Sequence, residues 1–350
     1  MNWRSFYERL RNWELWPFSL RYLPIAPIWG WYCLRARSFW FFTPSNPTLT
    51  FGGFEGEGKK EMYQQLEEGS YPKTIFIQPG IPFHSVLKTI KSYGYKYPYC
   101  VKPDVGMKGL LFRVIDKEDD LKLYHEKVPV VYIVQELVEL PLELSIFYYR
   151  HPARQKGVIS GFIQKDLMDV VGDGHKTLWQ LIMEDSQAQQ RPQEMKIKHE
   201  RFLDHVIPAG ERFILAHAAN LSRGARFKNL YEQADEQLLS VFDDLSHRTS
   251  FYYGRYDIKC QSIEELKKGN FSILEFNGSG AEPNHVYHQN YSWSAALKVF
   301  LQHWKALYEI SSYNNSHGIH YWPFLKGLRF LRQAKKHLKV LEQYDKEIIG

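Results

Sequence analysis

Gly254-Arg255-Tyr256-Asp257 and, a little further on, Ile273-Leu274-Glu275-Phe276-Asn277 each read as a strand that ends on an oxygen ligand. Residues two apart on a strand point to the same face, so Glu275 and Asn277 converge, and so do Arg255 and Asp257. If the strands are neighbours, Asp257, Glu275 and Asn277 make the all-oxygen set that Mg²⁺ takes when it also holds phosphates. Arg255 shares the face and can stabilise a developing anion. Alone, the pattern also fits two ordinary strands with surface carboxylates, so the rest of the chain has to decide.

Upstream, Tyr99-Cys100-Val101-Lys102-Pro103 runs into Asp104-Val105-Gly106-Met107-Lys108-Gly109. A lysine ending an apolar run before a glycine-bearing loop suits phosphate. Glycine lets backbone N–H groups approach the oxygens, and lysine adds a point charge. Next, Val131-Tyr132-Ile133-Val134-Gln135-Glu136 is an apolar β-branched run of the buried-strand kind, with Glu136 at its end and Glu143 opening the following strand.

These segments together resemble the ATP-grasp superfamily, and within it carboxylate–amine ligases of the D-alanine–D-alanine ligase and cyanophycin synthetase kinds. The resemblance covers about residues 55–290 and includes Val171-Gly172-Asp173-Gly174-His175-Lys176-Thr177 and Ala219-Asn220-Leu221-Ser222-Arg223-Gly224. It implies an α+β fold in which two lobes clasp ATP. It also implies that Lys102 contacts the nucleotide phosphates, with the loop Gly106, Lys108 and Gly109 closing over them. Glu136 and the residues after it, Val138 included, would face adenine, and Glu143 the ribose. Asp257, Glu275 and Asn277 would hold Mg²⁺, usually two ions, with Mn²⁺ as a substitute. Arg255 would stabilise the tetrahedral intermediate. A second phosphate lysine falls on Lys60, with Lys59 equally close, and Lys165 occupies a further basic position. Arg223 and Arg226 are looser candidates.

The implied chemistry joins a small-molecule carboxylate to an amine. The carboxylate attacks the γ-phosphorus of ATP to give an acyl phosphate, and the amine displaces phosphate, so cations and positioning do most of the catalysis. An ATP-grasp phosphotransferase would keep the same nucleotide site. A non-catalytic nucleotide binder would ordinarily have lost a metal ligand, and all three are present. The family's N-terminal α/β domain has no counterpart in the roughly 55 residues before Lys59. Substrate-selecting residues are therefore sought after Asn277, at Ser279, Glu282 and His285.

Aromatic residues make up 16% of the chain and crowd its start. Residues 1–42 carry Trp3, Phe6, Tyr7, Trp29, Trp31 and Trp40 among others, with six arginines against Glu8 and Glu14, about +4 of the total +6. The most apolar piece, Tyr22 to Cys33, is too short and too closely bounded by Arg21, Arg35 and Arg37 to span a bilayer. Tryptophan and tyrosine mixed with arginine suit either the headgroup level of an anionic membrane or a packed arm. From Trp322 on, apolar Phe324, Leu328, Leu331, Ala334, Leu338 and Leu341 recur at helical spacing, with lysines and arginines between and no acid before Glu342. Such a helix either lies on anionic lipid or docks on the domain. No nucleic-acid signature accompanies these basic stretches. Cys33, Cys100 and Cys260 show no metal spacing and read as thiols of a reducing, cytoplasmic compartment, at the inner membrane face if the arm binds lipid.

The organisation read from the sequence is an aromatic arm over 1–50, a first lobe over 51–135, a second over 136–312 and a basic tail over 313–350. Helices are predicted at 231–247 and 293–310. Residues 179–204 read as a helical or mobile polar insertion.

Overall fold

The computed structural model describes residues 13–107, 109–216, 225–287 and 291–349. Trp3, Phe6, Tyr7, Lys108, the segment 219–224 with Arg223, and His288 lie outside the described residues. The strands are β1 (Thr74–Ile77), β2 (Tyr99–Pro103), β3 (Arg113–Ile115), β4 (Tyr132–Glu136), β5 (Leu142–Tyr149) and β6 (Val158–Asp166). They continue with β7 (Met168–Val171), β8 (Arg212–Ala216), β9 (Arg226–Asn229), β10 (Tyr253–Cys260) and β11 (Phe271–Asn277). They form sheets of order β1-β4-β2-β3, β11-β10-β5-β6-β9 and β7-β8. The class is α+β, as the sequence predicts. The chain divides into two compact units, one of residues 1–71, 144–163 and 229–336, the other of 72–143, 164–228 and 337–350.

In the second unit the four-stranded sheet is antiparallel throughout, with Lys102 opposite Ile133 and Tyr99 opposite Glu136. β1 buries every second residue, Ile75 and Ile77, against helices Phe83–Ser92 and Glu118–Lys127. The first turn of the latter helix is acidic, which complements its dipole. The chain's last helix, Phe324–Ile349, adds buried Leu341 to this core. Near its end the Asp345 carboxylate accepts from the Leu111 N–H at 2.9 Å and pairs with Arg113 at 3.0 Å. Of the two readings the composition left open for residues 179–204, helical or mobile, the structure shows the helical one. Two helices there, Leu178–Glu184 and Pro192–His199, bury Leu181, Ile182 and Met195 with β7 and β8 in a small core of their own. Few apolar residues, correctly spaced, suffice for a satellite core. The first of these helices starts at a capping box between Thr177 and Gln180.

In the first unit the predicted helices appear as Glu236–Arg248 and Trp293–Ser316. The arm divides into two parts of different fate. Trp40, Phe41, Phe42 and Phe51 are buried with Phe147 and Tyr253 in an aromatic core. By contrast, helix Ala26–Ala36 buries none of its residues. Among the described residues no helix is long and apolar enough to cross a membrane. Cys100 and Cys260 are buried, and all three cysteines are free thiols.

The same unit carries two buried imidazoles. His303 meets Phe147 edge-on at 4.4 Å, and its Nδ1 lies 3.2 Å from the Tyr253 hydroxyl. Burial pushes His285 down to about 4, and burial together with His285 holds His303 well below the usual imidazole range. Both stay neutral in the folded protein, while the unfolded chain takes up protons below about pH 6.5. Stability present above that pH is therefore lost as pH falls toward 4, by about 2 kcal/mol from His285 alone at pH 5. The melting temperature is expected to drop between pH 7 and pH 5, and His285→Gln to flatten that drop. An unchanged slope in the variant would place the acid sensitivity elsewhere.

Candidate active site

β10 and β11 run antiparallel, with Asp257 opposite Glu275 and Arg255 opposite Asn277. Partners in register project to one face, so the four side chains that the sequence singled out stand together. The Asn277 Nδ2 donates to Asp257 Oδ2 at 3.3 Å, and Arg255 Nε lies 3.4 Å from Asp257 Oδ1. Arg255 also donates through Nη1 to the Glu282 carbonyl at 3.1 Å. The register shifts just past Asp257, where an irregularity separates it from Ile258. Gly254 is required by close approach. A Cβ there would lie 2.4 Å from the Asn277 carbonyl oxygen and 2.4 Å from the Phe276 ring.

Of the two adjacent lysines, Lys59 reaches this face. Its Nζ lies 3.0 Å from Glu275 Oε1 and its side chain is 8% exposed, whereas Lys60 is exposed. The short helix Lys59–Tyr63 is fixed to β11 by the Tyr63 hydroxyl donating to the Leu274 carbonyl at 3.0 Å and the Phe276 N–H meeting Met62 Sδ. Glu57, which the sequence reading passed over, also belongs here. Burial pushes its carboxyl up to about 7, Glu275 adding to the shift and Lys59 opposing it. The one signal in the sequence was an acid between two glycines, Gly56-Glu57-Gly58.

Past Asn277 the chain is held by the arm and by the residues that directly follow it. Ser279 and Gly280 donate backbone N–H groups to the carbonyls of Gly52 and Gly53 at 3.1 and 3.0 Å. A Cβ on Gly280 would fall 1.9 Å from the Phe54 carbonyl oxygen. Glu282 accepts from the hydroxyls of Tyr22, at 2.6 Å, and Tyr287, and Arg21 donates to Tyr287 at 2.7 Å. Burial first and Glu282 second raise both phenols far above their ordinary range. Ser279 is buried, and His285 packs against Gly161 and His303.

In the second unit Lys102 is half-buried on β2, a strand flanked by β4 and β3. Gly106 and Gly109 lie in the loop from β2 to β3, and Glu136 ends β4 with its side chain exposed. Val138 follows β4, half-buried. Lys165 on β6 is buried, its Nζ 3.6 Å from Glu143 Oε1 on β5. Arg226 bridges Asp169, at 3.2 Å, and Asp185.

The two carboxylates and one amide on the β10–β11 face are hard oxygen donors, the chemistry of Mg²⁺. Among the described residues no group of three His, Cys, Asp or Glu side chains is placed to hold a metal ion, so the third donor on this face is the Asn277 amide.

No family model and no curated protein matches the chain. Solved structures do. A D-alanine–D-alanine ligase from Bacillus anthracis matches at 12% identity over 72% of this chain and 68% of its own, with a TM-score of 0.40. A bifunctional glutathione synthetase from Pasteurella multocida matches at 12% identity over 71% and 36%, with a TM-score of 0.39. An ATP-grasp ligase complexed with a minimal precursor, Mg and ADP matches at 12% identity over 70% and 58%, with a TM-score of 0.37. The chain thus spans about a third of the glutathione synthetase and just over half of the third protein.

Proposed function

We propose that the protein is an ATP- and Mg²⁺-dependent ligase that joins a carboxylate to an amine through an acyl phosphate, with one substrate presented at a membrane surface. The observation that carries this reading is the register of β10 and β11, which puts Asp257, Glu275, Asn277 and Arg255 on one face with Lys59 against Glu275. Asp257, Glu275 and the Asn277 amide oxygen hold Mg²⁺, which when bound neutralises phosphate charge and orients the transferred group. Lys59 takes the phosphate role that the sequence divided between it and Lys60. Its pairing with Glu275 keeps it extended until the nucleotide's negative charge competes for it. Arg255, tied to both Asp257 and the Glu282 carbonyl, is aimed at the oxyanion that forms as the amine attacks. Lys102, Lys165, Lys108 and the Gly106–Gly109 loop serve the phosphates, and Glu136, Val138 and Glu143 the nucleoside.

Glu282, clamped by two tyrosines, is the anion best placed to orient a substrate amine. The test is ADP and phosphate release with candidate acids and amines, followed by mass spectrometry of the product. Release only when both are supplied, with a product lighter than its parts by one water, supports the ligase. A stable phosphorylated acid or alcohol formed without amine would make it a phosphotransferase.

A further inference from the structure

Among the described residues the arm leaves a large apolar face uncovered. Along helices Phe18–Tyr22 and Ala26–Ala36 and their connection, Leu20, Leu23, Ile28, Trp31 and Leu34 are exposed, Trp31 by 56% and Leu34 by 74%. Ile28, Trp31 and Leu34 recur every third residue, on one side of the second helix. The face continues beyond that helix. Trp29 stacks edge-on against Phe39 at 4.6 Å, and Phe39 against Phe324 at 5.9 Å, so the first turn of the last helix adds exposed Phe324 and Leu325. The Trp40 indole N–H donates to the Phe324 carbonyl at 2.9 Å, which fixes the two segments together. Within the arm itself Pro27, Trp31, Leu34, Arg37 and Phe39 line an apolar groove of about 740 Å³.

Exposed apolar patches of this kind need an occupant, and the charges say which. No acid occurs between Glu14 and Glu55 or between Glu309 and Glu342. Exposed Arg35 and Arg37 close the arm helix, and exposed Lys326, Arg329, Arg332, Lys335 and Lys336 follow Leu325. Arg37 takes a left-handed φ of 51°, a helix-ending position that ordinarily goes to glycine. A second copy of the chain meeting this face across a two-fold axis would bring like charges together. An anionic bilayer instead receives tryptophan and leucine at the acyl boundary and arginine and lysine at the phosphates.

We propose that this face, from Leu20 to Phe39 with Phe324 and Leu325, docks the protein on the surface of anionic phospholipid membranes. The proposal rests on the part of the proposed function that places a substrate at a membrane. Vesicle binding is measured apart from ADP release, so the two can fail separately. The full chain is sedimented with vesicles of phosphatidylglycerol and phosphatidylcholine, and with phosphatidylcholine alone, at low and high salt.

Wild type is expected to bind the anionic vesicles at low salt and to release at high salt. Trp31→Glu with Leu34→Glu should cut the bound fraction at least tenfold. Arg35→Gln with Arg37→Gln should move release to lower salt. Both pairs are surface changes and should leave the melting temperature as in wild type. If the glutamate pair is poorly folded, Leu34→Ser takes its place with the same expected direction. Absence of wild-type binding to anionic vesicles overturns the proposal, as does undiminished binding by a folded glutamate variant. Equal binding to neutral vesicles would remove the anionic element. A wild-type dimer that the glutamate pair dissociates, with no vesicle binding, would assign the face to a second copy instead.

Discussion

Asp257→Asn and Glu275→Gln are each expected to lower ATP-dependent ADP release by about 10²- to 10³-fold, the usual cost of one preorganised electrostatic contact in such a site. The two should differ in stability. Asp257 interacts with Asn277 and Arg255, and its amide replacement keeps the size and part of that hydrogen bonding. Glu275 is the carboxylate of an ion pair whose lysine is 8% exposed. Removing one partner of a buried pair costs about 3–5 kcal/mol. The carboxylate side is itself 35% exposed, which reduces the loss to about 2 kcal/mol. Adding Lys59→Met to Glu275→Gln removes the charge that Glu275 balanced and should restore much of the urea midpoint while leaving turnover low. That double variant separates the structural part of the pair from the catalytic part. Turnover near wild type in either folded single variant would show that this face is not where the chemistry happens.

What the sequence made legible follows from what strands require. β2, β4, β10 and β11 are short runs rich in apolar and β-branched or aromatic residues; β4 and β11 end on Glu136 and Asn277, whereas Asp257 stands inside β10, which runs on to Cys260 instead of ending at the carboxylate. That the two strands pair, with Asp257 against Glu275, comes from the structure and not from the sequence. Three kinds of residue were harder to read. Trp40, Phe41 and Phe42 share their composition with exposed Trp31 and Leu34, because tryptophan beside arginine suits a core edge as well as a lipid surface. Composition cannot divide that arm, and burial does. Lys59 and Lys60 are likewise equivalent in sequence. Only the helical turn from Lys59 to Tyr63, packed on β11, decides which one meets Glu275. Glu57 is the third case, since a carboxyl raised to about 7 by burial looks in sequence like any acid in a glycine-rich loop.

Asn46→Leu is expected to produce the largest loss of stability of any polar substitution in the arm. Asn46 is fully buried. Its Nδ2 donates to the carbonyls of Gly52, at 3.0 Å, and Tyr253, at 2.8 Å, and its Oδ1 accepts from the N–H groups of Tyr252, at 2.9 Å, and Tyr253, at 3.1 Å. Leucine keeps the branched shape at a larger volume and deprives the Tyr252 and Tyr253 N–H groups and the Tyr253 carbonyl of this partner, while the Gly52 carbonyl keeps the Ser279 N–H. Each buried polar group so stranded costs about 1–3 kcal/mol, or about 5 kcal/mol together. Against a typical stability of about 5–15 kcal/mol this is a drop of about 10 °C or more in melting temperature. The consequence reaches the chemistry because Asn46 grips the first residue of β10, two positions before Arg255 and four before Asp257. It also grips Gly52, whose carbonyl holds the Ser279 N–H beyond Asn277. The arm therefore sets both ends of the proposed metal face. Asn46→Asp separates packing from hydrogen bonding: it keeps the acceptor and the shape but turns an anion toward two carbonyl oxygens, and it should be destabilised about as much as the leucine variant. A melting temperature within about 2 °C of wild type in both variants would mean that the aromatic packing of Phe41, Phe42 and Phe51 alone holds the arm. Turnover lost at temperatures where Asn46→Leu is still folded is the result that ties this buried amide to the positioning of Arg255 and Asp257.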